Sequence, residues 1–261
     1  MKLHNSKNIF LLIILIGLFF SCASRKDLAY LQDLDNSKNS DATIIYEPKL
    51  QPDDLLSIIV SAENPEVTIP FNLPKVQGNY EVDDSKQSLK TYLIDNFGFI
   101  EFPVIGKVKL GGLTRTEAIK ILVSKVSEYV INPSINFRIL NFKISVLGEV
   151  VRPGSYVIQG ERITILEALS LAGDLSIFGK RDNILIIRES EGKKTYNRID
   201  ITNSSFINSP NYYLTQNDII VVEPNKTKIN TSAFSQNTAV ILSGMSILVS
   251  LFLILYTNKN K

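Results

Sequence analysis

The sequence predicts an α+β protein that consists of two small domains followed by a C-terminal transmembrane α-helix. Two patterns lead to this fold class. Short segments in which apolar and polar residues alternate are typical of half-buried strands, and each half of the 261-residue chain combines them with one capped helix pattern. Near the C-terminus, Thr238–Tyr256 is an uncharged apolar run of 19 residues, close to the length of about 20 that a membrane-spanning helix needs.

The clearest order of elements in the second half lies in Lys143–Leu175. Alternation over Lys143–Leu147 predicts a strand, and the RPG triplet that follows it predicts a turn before a second strand. Thr164 is a good helix N-cap, with Glu167 three residues later as in a capping box. Gly173 stands where a glycine commonly ends a helix. This stretch therefore predicts a hairpin followed by a short helix.

The first half has its own series of elements. In Leu50–Val60 a proline–aspartate turn leads into an apolar strand, and Phe99–Phe102 is a second alternating strand after a hairpin-type turn. Thr114 is an N-cap with Glu117 three residues on, which predicts the helix of this half. Ser134–Leu140 alternates again and closes the series as a strand.

These motifs resemble those of a known family. The pieces GEVVRPGSY and ITILEALSLAGDL resemble the opening of a soluble ligand-binding β-grasp (SLBB) domain, and the pieces LQPDDLLSIIV, DNFGFIEFPVIGKVKLGGLTRTEA and YVINPSINFRI resemble the polysaccharide biosynthesis/export domain. Both domains in this order are typical of Wza-type polysaccharide export proteins. One departure is Asp53-Asp54, where the family usually has glycine–aspartate. The resemblance implies a polysaccharide export domain at residues 46–141 and a β-grasp-like SLBB domain at residues 142–225.

The N-terminus has the pattern of a secretory signal. Lys2 and Lys7 precede the apolar run Ile9–Phe20, and Ser21 stands directly before Cys22. A cysteine at that place resembles a bacterial lipobox, which implies cleavage before Cys22 and lipidation of this residue. We therefore expect a signal peptide at residues 1–21 and a lipidated polar tether at residues 22–45, with little fold of its own. The alternative is a non-cleaved anchor with an incidental cysteine.

The predicted C-terminal helix, residues 233–257, is not uniformly apolar. Small and polar residues recur every three or four positions and would form one stripe, at Gln236, Ala239, Ser243, Ser246 and Ser250. Small residues allow membrane helices to pack closely, so the stripe would face neighbouring helices or a lumen. Wza-like proteins end in a helix that forms an α-helical barrel, which favours this interpretation. The alternative is a simple tail anchor.

Composition argues against most catalytic and metal sites. The only histidine is His4 and the only cysteine is Cys22, so the mature chain would have no histidine for a catalytic triad or a metal site, and we expect no metal and no cofactor. Apart from Lys2 and Lys7, the chain has 26 basic and 26 acidic residues. This balance gives no electrostatic footprint for nucleic acid.

A pair of carboxylates could still hydrolyse a glycan. Glu149 and Glu161 flank the predicted RPG turn, but their placement is better explained as surface. Asp53 and Asp54 are better explained as turn residues than as metal ligands. We therefore predict no catalytic residue and no enzyme.

The resemblance implies an outer-membrane lipoprotein whose soluble domains lie in the periplasm. Its subunits would form a ring, typically an octamer, that exports capsular polysaccharide or exopolysaccharide received from an inner-membrane copolymerase or tyrosine kinase. The alternative is a non-conducting periplasmic scaffold or a glycan-binding lipoprotein of the same machinery. Arg152, Arg181 and Arg188 are candidate contacts for an anionic glycan, or else solvated turn and strand ends.

Overall fold

The structure is a computed structural model, and it describes residues 28–34, 46–73, 91–190, 192–233 and 236–259. It contains strands and helices in the mixed order expected of an α+β chain. The predicted signal peptide, Cys22 and most of the predicted tether lie outside the described residues.

The first domain combines a small sheet, a hairpin and a helix. Its elements are strands β1 (Leu55–Ser61), β2 (Tyr92–Leu93), β3 (Phe99–Phe102), β4 (Gly106–Lys109) and β5 (Ser134–Ile139), helix α1 (Arg115–Val126) and a 3₁₀ helix (Pro65–Phe71). Strand β1 pairs antiparallel with both β2 and β5, and β3 pairs with β4 as a separate hairpin.

Helix α1 covers one side of this domain because of its apolar spacing and its cap. Thr114 accepts a hydrogen bond from the backbone N–H of Glu117, and the Glu117 carboxylate accepts one from the backbone N–H of Thr114, which confirms the predicted capping box. Leu122 and Val126 lie one turn apart and are fully buried. They pack in the same core as Phe137 of β5.

The second domain is built on a five-stranded sheet with one helix. Its elements are strands β6 (Lys143–Gly148), β7 (Gly154–Val157), β8 (Gly179–Ser190), β9 (Lys193–Ile199) and β10 (Ile219–Pro224), helix α2 (Ile165–Leu171) and a 3₁₀ helix (Ser204–Asn208). The strand order is β7-β6-β10-β8-β9. Strands β6 and β10 are parallel, and the other pairs are antiparallel.

The predicted hairpin and helix of this domain are confirmed. Strands β6 and β7 form the hairpin, and Thr164 and Glu167 form the capping box of α2. Gly173 follows the helix with φ +76°, a conformation that a residue with a Cβ rarely adopts. Ile165 and Leu169 of α2 are buried in a core of their own, separate from that of the first domain.

Two further helices, α3 (Lys226–Ala233) and α4 (Gln236–Lys259), follow the second domain. The helix expected near residues 233–257 is therefore present. However, no helix in the part of the chain that the structure describes has both the length and the apolarity of a membrane span. The structure confirms the predicted helix but gives no confirmation of its transmembrane character.

Part of the predicted tether lies against the second domain. The backbone N–H groups of Leu31 and Gln32 donate hydrogen bonds to the carbonyls of Ile201 and Thr202, at 3.1 and 2.7 Å. Asp33 accepts hydrogen bonds from both the backbone N–H and the hydroxyl of Ser204, at 2.6 and 2.9 Å. Residues 28–34, called the docked segment below, are thus hydrogen-bonded to a domain that begins more than 100 residues later in the chain.

Candidate functional site

The two domains meet at a pair of similar turns. The first turn, residues 51–54, leads into β1, and the second, residues 215–218, leads into β10. The third residue of each turn has a positive φ, +68° at Asp53 and +65° at Asn217. Aspartate and asparagine tolerate this conformation better than most residues, which explains their presence here.

The last residue of each turn is a buried aspartate that closes the turn. Asp54 accepts a hydrogen bond from the backbone N–H of Gln51, and Asp218 accepts one from that of Thr215, both at 2.8 Å. Only 1% of Asp54 and none of Asp218 is exposed. The likeness between LQPDD and LTQND in the sequence thus corresponds to one turn geometry that is used twice.

The second aspartate has a full set of partners. The Arg188 guanidinium donates hydrogen bonds to both oxygens of Asp218, at 3.0 Å from Nε to Oδ1 and 2.7 Å from Nη2 to Oδ2, and a further one to the carbonyl of Tyr213. Desolvation opposes the charge on Arg188, but the hydrogen bonds and attraction of Asp218 outweigh it and raise the pKa of this guanidinium. This is a two-pronged ion pair in the interior.

The first aspartate lacks such a cation. Within the described residues, Oδ1 of Asp54 is buried and has no hydrogen-bond partner. Burial raises the pKa of the Asp54 carboxyl to about 6, with a smaller opposing contribution from its hydrogen bond to the Gln51 backbone. The Asp54 carboxyl thus has a raised pKa, and it differs from Asp218 in that Asp218 forms an ion pair with Arg188.

Asn141 and Gln216 tie the two turns together. The side chain of Asn141, which lies between the domains, accepts a hydrogen bond from the backbone N–H of Leu55 and donates one to the carbonyl of Asp53, both at 2.8 Å. Gln216 donates to the Asn141 carbonyl at 2.8 Å and accepts from the Lys143 N–H at 2.7 Å. These bonds fix the chain where it passes from β5 to β6.

The three candidate glycan-binding arginines lie apart and have different surroundings. Arg188 forms the ion pair described above. Arg181 is 7% exposed, donates to the carbonyl of Gly179 at 2.9 Å and lies 5.4 Å from the centre of the Tyr30 ring. Arg152 is exposed and donates to the Leu171 carbonyl at the end of α2, at 3.2 Å. Of the three side chains, Arg152 is the most accessible to a glycan.

The serines of the C-terminal stripe bond to their own helix. The hydroxyls of Ser243, Ser246 and Ser250 donate to backbone carbonyls three or four residues earlier, at 2.7 to 2.9 Å. Such bonds satisfy the hydroxyls and leave this face of the helix small and smooth. The side chains of Gln236 and Ala239, like the lipidation candidate Cys22, are outside the described residues.

Glu149 and Glu161 contact different partners. Glu149 accepts a hydrogen bond from the Ser176 hydroxyl at 2.9 Å and pairs with Lys228 at 3.7 Å. Glu161 pairs with Arg115 of the first domain at 3.3 Å. Each carboxylate therefore has a structural role at its own position, and the second pair bridges the two domains.

Sequence reasoning missed the docked segment and the buried Asp54. Tyr30 donates a hydrogen bond to Asp174 and packs, with Leu31, against the core of the second domain. The sequence signal that could have revealed the docked segment was the aromatic Tyr30 beside the aliphatic Leu31 within a polar stretch. For Asp54 it was the repetition of the turn, since the last aspartate stands before an apolar strand in both copies.

The comparisons with known proteins agree with this architecture. The family model of the polysaccharide biosynthesis/export protein matches residues 43–140, which include the whole first domain. The EPS I polysaccharide export outer membrane protein EpsA of Ralstonia solanacearum is 28% identical over 177 residues, which are 66% of this chain and 46% of that protein. Its counterpart in Ralstonia nicotianae is 28% identical over 175 residues, 65% of this chain and 45% of the relative.

The chain thus spans about half the length of the curated relatives it matches. The family match covers the stretch in which the export-domain motifs were recognised, and the relatives extend the similarity beyond it. The motifs, the family model and the relatives agree: residues 43–140 match the polysaccharide biosynthesis/export protein family, and the chain is similar to polysaccharide export outer membrane proteins.

Proposed function

We propose that this protein is a subunit of an outer-membrane machinery that exports capsular polysaccharide or exopolysaccharide and conducts it without bond chemistry. The observation that carries the proposal is the family match over residues 43–140, together with two relatives whose names describe polysaccharide export at the outer membrane. The aligned length of 177 residues exceeds that of the family domain, so the likeness extends to more than one domain.

The second domain is proposed to be the SLBB domain of this machinery. The support comes from its topology, in which a hairpin is followed by a helix and the last strand, β10, lies parallel to the first, β6, in the middle of the sheet. A mixed sheet with one covering helix is compatible with a β-grasp. Within this domain, Arg152 is proposed to contact an anionic glycan, because its side chain is the most accessible of the three candidate arginines.

Lipidation at Cys22 would place the protein at the membrane, with its domains in the periplasm. The docked segment supports this arrangement, because Tyr30 is only eight residues from Cys22 and is bound to the second domain. An extended chain of that length spans at most about 28 Å. The second domain would therefore stay close to the lipid.

The assembly is proposed to be a ring of identical subunits, with eight as the number that the family suggests, receiving glycan from an inner-membrane copolymerase or kinase. Helix α4 supports self-association because large apolar side chains are exposed along it, among them Val240, Leu248 and Leu255 at 66 to 69%. Apolar surface of this extent is normally covered by a partner.

The second candidate function is a non-conducting scaffold of the same machinery. A scaffold would use the same soluble domains but would not expose its C-terminus at the cell surface.

Two measurements in the source bacterium test these proposals. Deletion of the gene should abolish extracellular polysaccharide, and a plasmid copy should restore it; normal secretion in the deletion strain would refute the export role. An epitope tag after Lys261 should then be labelled by antibody on intact cells, with a periplasmic protein as leakage control. Labelling only after permeabilisation would favour the scaffold.

A further inference from the structure

We infer that a shallow cleft beside the domain junction binds an acidic sugar residue of the exported glycan. The inference rests on the proposed export function and names the class of polysaccharide. The cleft has a volume of about 280 Å³ and is lined by the start of the first turn, the β2–β3 turn, the end of β4 and, from the second domain, Ser190. This volume is close to the lower end of ligand pockets, about 300 Å³, so the cleft would hold one or two sugar residues of a chain that passes across it.

The charge of the cleft selects an anion. Lys49 and Lys109 both line it, both are exposed, and neither forms an ion pair within the described residues. No aspartate or glutamate is among its described lining residues. A neighbouring hollow of similar size has the opposite character, since Asp95 and Glu101 line it beside Lys107. In a chain with balanced charges, this cleft is thus locally cationic.

An exposed aromatic ring stands at the rim of the cleft. Phe97 is 80% exposed, although its backbone is held firmly: the N–H groups of Phe97 and Phe99 both donate to the Asp95 carboxylate, at 2.9 and 2.8 Å. The ring is therefore presented from a fixed turn. A rigid aromatic face can pack against the C–H face of a sugar ring at little entropic cost.

The floor of the cleft is bare backbone. A Cβ atom at Gly111 would lie 2.6 Å from the Cα of Gly98, so the two turns that contain these residues can approach only because both residues lack side chains. Gly98 also has φ +85°. Phe97, Lys49 and Lys109 line the cleft together with this bare backbone.

The lining groups match the chemistry of a uronic acid. The ammonium groups of Lys49 and Lys109 can bind its carboxylate, although Lys109 also lies 5.6 Å from the centre of the Phe99 ring. The amides of Gln51 and Asn96 can bind the hydroxyl groups. A neutral sugar would gain the ring and amide contacts but would leave both cations without a partner.

Binding of tetragalacturonate to the purified full-length protein tests the inference. We expect saturable binding by calorimetry that weakens with salt, and at least tenfold weaker binding of neutral maltotetraose. The double variant Lys49→Ala/Lys109→Ala should weaken tetragalacturonate binding about tenfold. Phe97→Leu should also weaken tetragalacturonate binding, because leucine keeps an apolar side chain but lacks the flat face that packs against a sugar ring.

A matched control is Lys120→Ala/Lys125→Ala, which removes the same charge from exposed positions on α1. It should leave binding and the melting temperature unchanged. Equal loss in both double variants, or equal affinity for both tetrasaccharides, would overturn the acidic-sugar site. That result would leave the export function intact if gene deletion still blocks secretion, so the two proposals can fail separately.

Discussion

Two buried aspartates close the same turn in the two domains, and within the described residues Asp218 has a cationic partner whereas Asp54 has none. The lack of a cation at Asp54 has a consequence for stability. Burial raises the pKa of Asp54 from 3.8 to about 6, so the folded protein binds this proton more tightly than the unfolded chain does. Stability from Asp54 is therefore greatest at low pH and is lost as the pH rises from about 4 to above 6.

Asp54→Asn should remove this pH dependence. Asparagine retains an oxygen for the Gln51 N–H and carries no charge at any pH, so at pH 7.5 the free energy of unfolding should rise, by up to about 3 kcal/mol for a shift of about two pKa units. At pH 4.5 the gain should be much smaller. Urea unfolding at the two pH values measures the difference. Asp182→Asn, at an exposed position on β8, is the control, and an equal gain of Asp54→Asn at both pH values would contradict the argument.

The buried ion pair at the second turn should contribute strongly to the stability of its domain. Arg188→Ala leaves the charge of Asp218 buried without its main partner and should destabilise the second domain by about 3–5 kcal/mol. Arg198→Ala is the matched control, because it breaks the exposed Arg198–Glu223 pair and should cost less than about 1 kcal/mol. Thermal unfolding of both variants compares them. Similar losses of stability in the two variants would show that burial does not determine how much an ion pair contributes.

For these residues, the sequence predicted the geometry of the turns but not the ion-pair partner of the buried aspartate. The turns at residues 51–54 and 215–218 could be predicted because proline, aspartate and asparagine specify a turn from their immediate neighbours. The partner of Asp218 is 30 residues away on β8, and no spacing rule connects the two. For the same reason Arg188 was predicted as a possible glycan contact.

Secondary elements followed their sequence signals wherever the signal was local. Both capping boxes and the β6–β7 hairpin formed as predicted. The docked segment did not follow a local signal, because its hydrogen bonds reach residues 170 positions away and depend on a surface that only the folded second domain provides. The polar composition of residues 22–45 therefore predicted a tether, although residues 28–34 are bound to the second domain.

The docked segment should contribute measurable stability to the second domain. Tyr30→Ala removes a half-buried ring, its hydrogen bond to Asp174 and its contact with Arg181, and should cost about 1–3 kcal/mol. Hydrogen exchange should quicken at residues 199–206 and 174–181, and residues 55–61 of the first domain should be unaffected.

Leu28→Ala is the control for this experiment, since Leu28 is 45% exposed and lies in the same segment. It should leave the exchange pattern close to that of the wild type. Uniform acceleration across both domains in Tyr30→Ala would mean global destabilisation. Unchanged exchange at residues 199–206 would show that the segment does not stabilise the domain in solution.

The whole molecule presents two well-packed domains and one long helix whose apolar side chains are exposed. Each domain has its own core, and polar contacts such as those of Asn141 connect them. Neither core includes a described residue of α4, so the helix is available for association between subunits. The sequence indicated this helix by length and apolarity, but a single chain cannot specify how many copies assemble.

The proposed ring therefore predicts that assembly depends on the small stripe of α4. Ser243→Leu/Ser246→Leu replaces two small residues, whose hydroxyls bond within the helix, by bulky ones that prevent close approach of neighbouring helices. Native mass spectrometry should show loss of the large oligomer with folded domains retained. Ile247→Leu/Val249→Leu, at exposed apolar positions, should preserve it. If the serine variant assembles like the wild type, the stripe is not the packing surface, and subunit association must rely on the soluble domains.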